Sequence, residues 1–281
     1  MTIARTLALL LLTTLLVPAA RADEERELHV DAQLEFPLVL AMGLAWVSSE
    51  IDKPQLAPNG CRWCDRNADG SDALNGMDRA VRDALKWSES NRDTADVVSS
   101  VVGFGVTPVL ALVGPLIAGL HDGTSTVQRQ QEDALLIIEA AMLASCINQI
   151  TKFAVGRERP FVHVLTPSEK VTTPNPSDNN LSFFSGHTTV TFALAAAAGT
   201  VSMLRRDRWS PLVWALGLAG AATTAYLRLA AQKHYLSDVL VGVAVGGGLG
   251  VAMPVAHLQK KVSITVVPRD DGAMLSVGGR F

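Results

Sequence analysis

A membrane-embedded, all-α helical bundle of about five or six apolar helices, with a small polar insert and a C-terminal β-hairpin, is the fold this 281-residue chain predicts. Three observations carry that expectation. Hydrophobic residues make up 48% of the chain and charged residues 18%, with a mean hydropathy of +0.25, so the charged share falls short of the roughly 25% usual in soluble domains. The apolar residues are also segregated. Residues 97–120 run for 24 positions without a charge, 133–150 carry only Glu139 after Asp133, and 188–204, 211–227 and 239–256 carry none. About 20 apolar helical residues cross a bilayer, and a helix apolar all round has no face to offer water. Finally, the basic, acidic and histidine residues gather between these runs, where helices would end.

Taken in order, the chain opens with Arg5, the run LALLLLTTLLV at 7–17 and Ala-Arg-Ala at 20–22, the form of a secretory signal peptide over 1–22. The apolar stretch 36–49 is only 14 residues, shorter than a full span, and is expected to be non-spanning or interfacial. Residues 50–96 form a polar extramembrane insert. In an exported protein its Cys61 and Cys64, spaced as CxxC, are a local disulfide candidate; zinc would need two further ligands that the neighbourhood lacks. Asp65, Asn67 and Asp69 precede Gly70 as in the opening of a calcium loop, but Gly76 stands where a bidentate glutamate belongs, which favours an Asx-rich turn. Met77, Val81 and Leu85 repeat every four residues, an amphipathic helix suited to packing or to a membrane surface. After the last apolar run, 262–267 alternates as a strand, 269–272 reads as a turn and 274–281 as a returning strand, with 28–30 as a possible third. The division expected is therefore 1–22 leader, 23–96 N-terminal helix and insert, 97–257 catalytic helical domain and 258–281 hairpin.

Chemistry concentrates in three stretches: KFAVGRERP at 152–160, FFSGH at 183–187 and LRLAAQKHYLSD at 227–238. Lys152, Arg159 and Arg228 are cations suited to phosphoryl oxygens. His187 and His234 can transfer protons or attack phosphorus. Singly, each has a plainer explanation. Lys152 and Arg159 suit a helix C-terminus, His234 and Asp238 are four apart on one helix face, and Ser185 and Gly186 suit a helix start. Jointly, at helix ends on one side of a bundle, they argue for a shared phosphate site.

With these residues the chain resembles the phosphatidic acid phosphatase type 2 and haloperoxidase superfamily. Lys152 stands six residues before Arg159-Pro160, Ser185-Gly186-His187 is present, and Arg228 is followed by five residues, His234, three residues and Asp238; Phe184 and Leu227 replace the family's proline and serine. The resemblance spans roughly 133–254. It implies that His234 attacks phosphorus to give a phosphohistidine while Asp238 holds its other nitrogen, and that His187 protonates the leaving alkoxide and then activates water. Lys152, Arg159, Ser185, Gly186 and Arg228 would hold the phosphate, with no metal and no cofactor. The implied substrate is a membrane lipid phosphate: phosphatidic acid, phosphatidylglycerol phosphate, an isoprenyl pyrophosphate or a lipid A phosphate. A soluble periplasmic acid phosphatase and a vanadate-dependent haloperoxidase are the alternatives. A net charge of -3 without a further basic patch speaks against nucleic acid. The basic runs at 205–208 and 260–261 lie at the opposite helix ends and are expected inside, so the catalytic loops of this bacterial inner-membrane protein should face the periplasm. That orientation requires 36–49 not to span, because a cleaved leader followed by a span there reverses the side.

Overall fold

Each uncharged run is a helix, and each helix is longer than its uncharged centre. A computed structural model describes residues 26–260, 263–269 and 272–278; the leader, Lys261 and the centre of the 269–272 turn lie outside the described residues. The helices are α1 (Ala32–Ile51), α2 (Gly76–Leu85), α3 (Glu89–Val101), α4 (Thr107–His121), α5 (Val127–Val155), α6 (Gly186–Leu204), α7 (Ser210–Ala230) and α8 (Leu236–Ala256). A π turn at Val102–Val106 joins α3 to α4, so the two run on as one apolar rod over Glu89–His121. Among the described residues, six rods are therefore long and apolar enough to cross a bilayer.

The sixth of these corrects the sequence expectation. The 36–49 stretch is the centre of a 20-residue helix, because Asp31 caps its start by accepting from the Gln33 N–H and the helix continues through Glu50 and Ile51. At about 1.5 Å per residue, 20 residues span roughly 30 Å, a full hydrocarbon core. None of its residues is buried, and Leu34 and Phe36 are 65% and 61% exposed. An apolar face that size is foreign to a soluble monomer and natural in lipid.

Helix α6 is the axis of the bundle, with 15 of its 19 residues buried. Helix α8 lies against it along a glycine stripe: a Cβ at Gly246 would stand 2.1 Å from the Thr189 carbonyl oxygen, and one at Gly250 2.5 Å from that of Ala193. Small residues at such positions let membrane helices approach to backbone contact. Helix α5 ends at Gly156, whose φ of +60° forms a left-handed cap, and a Cβ there would lie 3.0 Å from Pro58 Cγ. This sharp turn delivers residues 157–160 back across the bundle end.

The insert covers that same end. Cys61 and Cys64 form a disulfide, the Arg62 N–H donates to the Gly156 carbonyl, and the Arg62 side chain donates to the Ala154 carbonyl at 3.0 Å. Asp69 accepts from the backbone and hydroxyl of Ser71, as an Asx turn does. Val81 and Leu85 of α2 pack against Ala221, Ala225 and Leu229, so this amphipathic face serves packing. At the C-terminus β1 (Arg26–Leu28) pairs with β2 (Leu258–Lys260), and β3 (Ser263–Arg269) pairs antiparallel with β4 (Gly272–Gly278) from Ser263 opposite Gly278 to Arg269 opposite Gly272. The expected third strand at 28–30 thus joins a separate two-stranded sheet.

Candidate active site

The C-terminal ends of α1, α5 and α7, the C-terminal half of α3, the N-terminal end of α6 and the turn before α8 meet at one end of the bundle, around a cavity of about 340 Å³. It brings together Lys152, Arg159, Gly186, His187, Arg228 and His234, six of the eight residues singled out from the motifs. Lys53 and Lys233 join them, as do Glu50, Asp96 and Asp178. Five cations thus face three carboxylates, a surplus of two positive charges that a phosphate dianion would neutralise. Arg159 is held by Asp178 at 3.5 Å; Arg228 pairs with Asp96 and donates to the Ser99 hydroxyl at 3.0 Å. Yet the Nε groups of both arginines are buried with no hydrogen-bond partner, and Lys152 makes no ion pair among the described residues. A buried cationic donor left unsatisfied is costly, so these atoms are poised for an anion.

The two histidines face this cation ring. His234 sits in the turn before α8, where its Nδ1–H donates to the Ser182 carbonyl at 2.7 Å. That fixes the tautomer and leaves the Nε2 lone pair for the cavity. His187 begins α6; its Nε2 lies 3.1 Å from the Ser100 hydroxyl, and Phe104 from the π turn packs edge-on against its ring at 4.5 Å. A π turn near a functional site re-aims one side chain without ending the helix.

Two assignments change. Asp238 Oδ2 is 3.9 Å from His234 Nδ1, so the carboxylate does not hold the imidazole directly. It accepts instead from the Ser182 hydroxyl at 2.6 Å, the Tyr235 N–H at 2.9 Å and Arg157 at 2.7 Å, and so secures the segment whose carbonyl holds His234. Ser185, fully buried, exchanges its hydroxyl bond with Thr188 at 2.8 Å and does not line the cavity; the helix geometry turns it inward. Gly186 does reach the site, since a Cβ there would stand 2.8 Å from Asn148 Oδ1 and 3.0 Å from Lys152 Nζ.

Sequence reasoning missed Arg157. Its guanidinium is fully buried between the rings of Trp63 at 4.1 Å and Tyr235 at 4.3 Å, and bonds Asp65 and Asp78 at 2.9 Å and Asp238 at 2.7 Å. Burial alone would lower its pKa; Asp238, Asp65 and Asp78 outweigh that and raise it. Asp65 is therefore spoken for by Arg157 and the Trp63 indole, which explains the aspartates before Gly70 without calcium. Because its three acidic partners lie 81, 79 and 92 positions away, no local spacing could disclose the cluster.

Burial, followed by the charges of Arg228, Arg159 and Lys152, holds the His234 pKa well below its usual value. A lowered pKa means that the ring stays neutral as pH falls through the ordinary histidine range near 6.5. The acid limb of kcat/KM that belongs to this residue, corrected for the phosphate's own ionisation near pH 6, is expected on the acid side of the ordinary histidine range, with Arg228→Gln moving it upward. A limb unmoved by that substitution would contradict the electrostatic account.

Residues 133–261, which contain Lys152, Arg159, Arg228 and both histidines, match the family model described as the PAP2 superfamily. Human phospholipid phosphatase 2 is 30% identical over 140 residues, covering 42% of this chain and 48% of that protein, so the chain spans about half the length of the curated relative it matches. A solved transmembrane PAP2-type phosphatidylglycerolphosphate phosphatase from Bacillus subtilis aligns with a TM-score of 0.46 at 15% identity, over 78% of this chain and 94% of that one.

Proposed function

We propose that this protein is a lipid phosphate phosphatase that works through a phosphohistidine. His234 Nε2 attacks phosphorus, forming the N–P bond as the P–O bond to the alkoxide breaks; His187 supplies the proton to that alkoxide and then takes one from the water that hydrolyses the phosphoimidazole. Lys152, Arg159 and Arg228 neutralise charge on the equatorial oxygens, the main requirement of a loose phosphoryl-transfer transition state. The observation that carries the reading is the cavity: two imidazoles facing unsatisfied cationic donors in a pocket with a net surplus of two positive charges.

A lipid substrate is favoured over a soluble phosphomonoester by the other wall. Trp46, Phe104 and Val190 line the cavity, and Phe104 is at the same time 46% exposed on a spanning rod, giving acyl chains an apolar path from the bilayer to the phosphate. Buried chains can then contribute binding energy to positioning and raise turnover. In detergent, kcat/KM should be higher for phosphatidic acid, phosphatidylglycerol phosphate, an isoprenyl pyrophosphate or a lipid A phosphate than for glucose 6-phosphate or a nucleoside monophosphate. Equal turnover of the soluble compounds would transfer the assignment to an acid phosphatase.

In this reading the catalytic end faces the periplasm. The Cys61–Cys64 disulfide caps that end and calls for an oxidising compartment, while Arg205, Arg206 and Arg208 sit at the other, where short basic loops stay inside. With six spans this orientation puts Asp31 at the cytoplasmic face, which departs from the expectation of a leader cleaved at Ala22. Ser168 is exposed in the catalytic-end loop. In a Cys146→Ser background, Ser168→Cys should react with a membrane-impermeant maleimide in intact spheroplasts; labelling only after lysis would invert the topology.

A further inference from the structure

Three side chains that the phosphatase chemistry leaves unused converge at the opposite end of the bundle. Glu35 lies in the first turn of α1, Glu139 in α5 and His257 directly after α8, and one ligand atom from each falls within 4.8 Å of the other two. His257 Nε2 is 3.3 Å from Glu35 Oε1 and 4.0 Å from Glu139 Oε2. Glu139 lies 13 residues before Lys152 on the same helix, roughly 20 Å along its axis, so the cluster is separate from the phosphate cavity.

Its electrostatics are incomplete. Glu139 is 4% exposed, and its Oε2, like Oε2 of Glu35, is buried with no hydrogen-bond partner. Among the described residues neither carboxylate pairs with a lysine or arginine; Arg129 of this end pairs with Asp207, and Arg205 with Glu132 and Asp133. Carboxylates within apolar helices need a compensating positive charge. His257 is oriented to supply one: its Nδ1–H donates to the Met253 carbonyl at 2.9 Å, which turns Nε2 toward both glutamates, as a proton donor to Glu35 in the imidazolium and as a lone-pair donor when a metal ion takes the proton's place. A histidine oriented through its second nitrogen by a backbone carbonyl is the usual arrangement of a metal ligand. One imidazole nitrogen and two carboxylates suit a divalent transition ion such as Zn²⁺. The separations of 3.3 and 4.0 Å from His257 Nε2 to the two carboxylates also fit metal–ligand bonds of about 2.0–2.2 Å, and a dication would cancel the two carboxylate charges.

We infer that Glu35, Glu139 and His257 form a divalent-metal site of the Zn²⁺ class that pins α1 to α5 and to the end of α8, at the end of the bundle remote from the phosphate pocket. The test uses the full-length, tag-free protein in detergent, stripped with EDTA, dialysed and titrated with zinc chloride. Elemental analysis should find one zinc per chain, and zinc at about a hundredfold over its Kd should raise Tm by roughly 5–10 °C. Glu139→Gln, nearly isosteric, should weaken zinc binding by roughly a hundredfold or more, beyond the 10–100-fold that outer-shell partners control, and should abolish the Tm shift. If that variant does not fold, cobalt titration of the unaltered protein still decides: ligand-field bands of a four-coordinate N/O site support the proposal. Substoichiometric zinc, zinc binding that Glu139→Gln leaves unchanged, or an absent cobalt spectrum would overturn it in favour of a proton shared by the two carboxyls. Metal content and Tm are read without substrate, so these outcomes are independent of the phosphatase reading, which has its own test in the substrate panel.

Discussion

His234→Ala is expected to lower kcat for phosphate release by roughly 10⁴-fold or more, and His187→Ala by about 10²–10⁴-fold, with both proteins still folded. The asymmetry follows from their roles. Without His234 no N–P bond forms, whereas without His187 a substrate with a good leaving group can still phosphorylate His234 and then stall. The double variant should be scarcely worse than His234→Ala, because a nucleophile and its acid act as a unit whose losses do not add. Rapid quench with labelled substrate should trap acid-labile phosphate on His234, and trapping should be enhanced in His187→Ala when the leaving group is activated. Wild-type turnover in His234→Ala would sink the mechanism.

Arg157→Leu should have the largest effect on stability. It removes the guanidinium from Asp65, Asp78 and Asp238, of which Asp78 and Asp238 have fully buried side chains. Removing one partner of a buried ion pair costs about 3–5 kcal/mol because the other charge is left uncompensated, and here more than one carboxylate is left so. For a chain of this size each kcal/mol lowers Tm by roughly 2–4 °C, so Tm should fall by about 10 °C or more. Arg157→Lys keeps the charge but not the three-way fork or the stacking on Trp63 and Tyr235, and should recover only part of the loss. Because Asp238 also holds Ser182, whose carbonyl fixes the His234 tautomer, Arg157→Lys should lower kcat more than it raises KM. A Leu variant as stable as the parent would show that the cluster is not what ties the insert to the bundle.

The two candidate catalytic histidines and the three cations were legible because catalytic chemistry restricts residue type at fixed spacing, and each motif sits at one helix end. The structure then places these residues in one cavity. Their supporting shell was not legible. Lys53, Asp96, Asp178 and Lys233 adjust the charge of the pocket from separate loops and helices, and in sequence they look like any solvated charge. Ser185 and Asp238 were recognised by position, but whether a side chain at a helix start faces the cavity or the helix behind it depends on rotation about the helix axis, which a motif does not encode.

By itself, the sequence determined that the chain is a bundle of long apolar helices with the candidate site residues at helix ends, since segregation of apolar from charged residues and a count of about 20 residues per span are one-dimensional properties. Only the tertiary structure decided the rest. It extended 36–49 into a 20-residue helix long enough to cross a bilayer, because caps and flanking polar residues join a helix whose apolar centre alone is too short. It gave Asp238 to Arg157 and the Ser182 carbonyl to His234, and it drew Glu35, Glu139 and His257 together from 222 positions of separation between the first and the last. The physical reason is common to all three: hydrogen bonds and ion pairs act over a few ångströms of space, and contacts between residues far apart in the chain leave no periodicity for a single sequence to display.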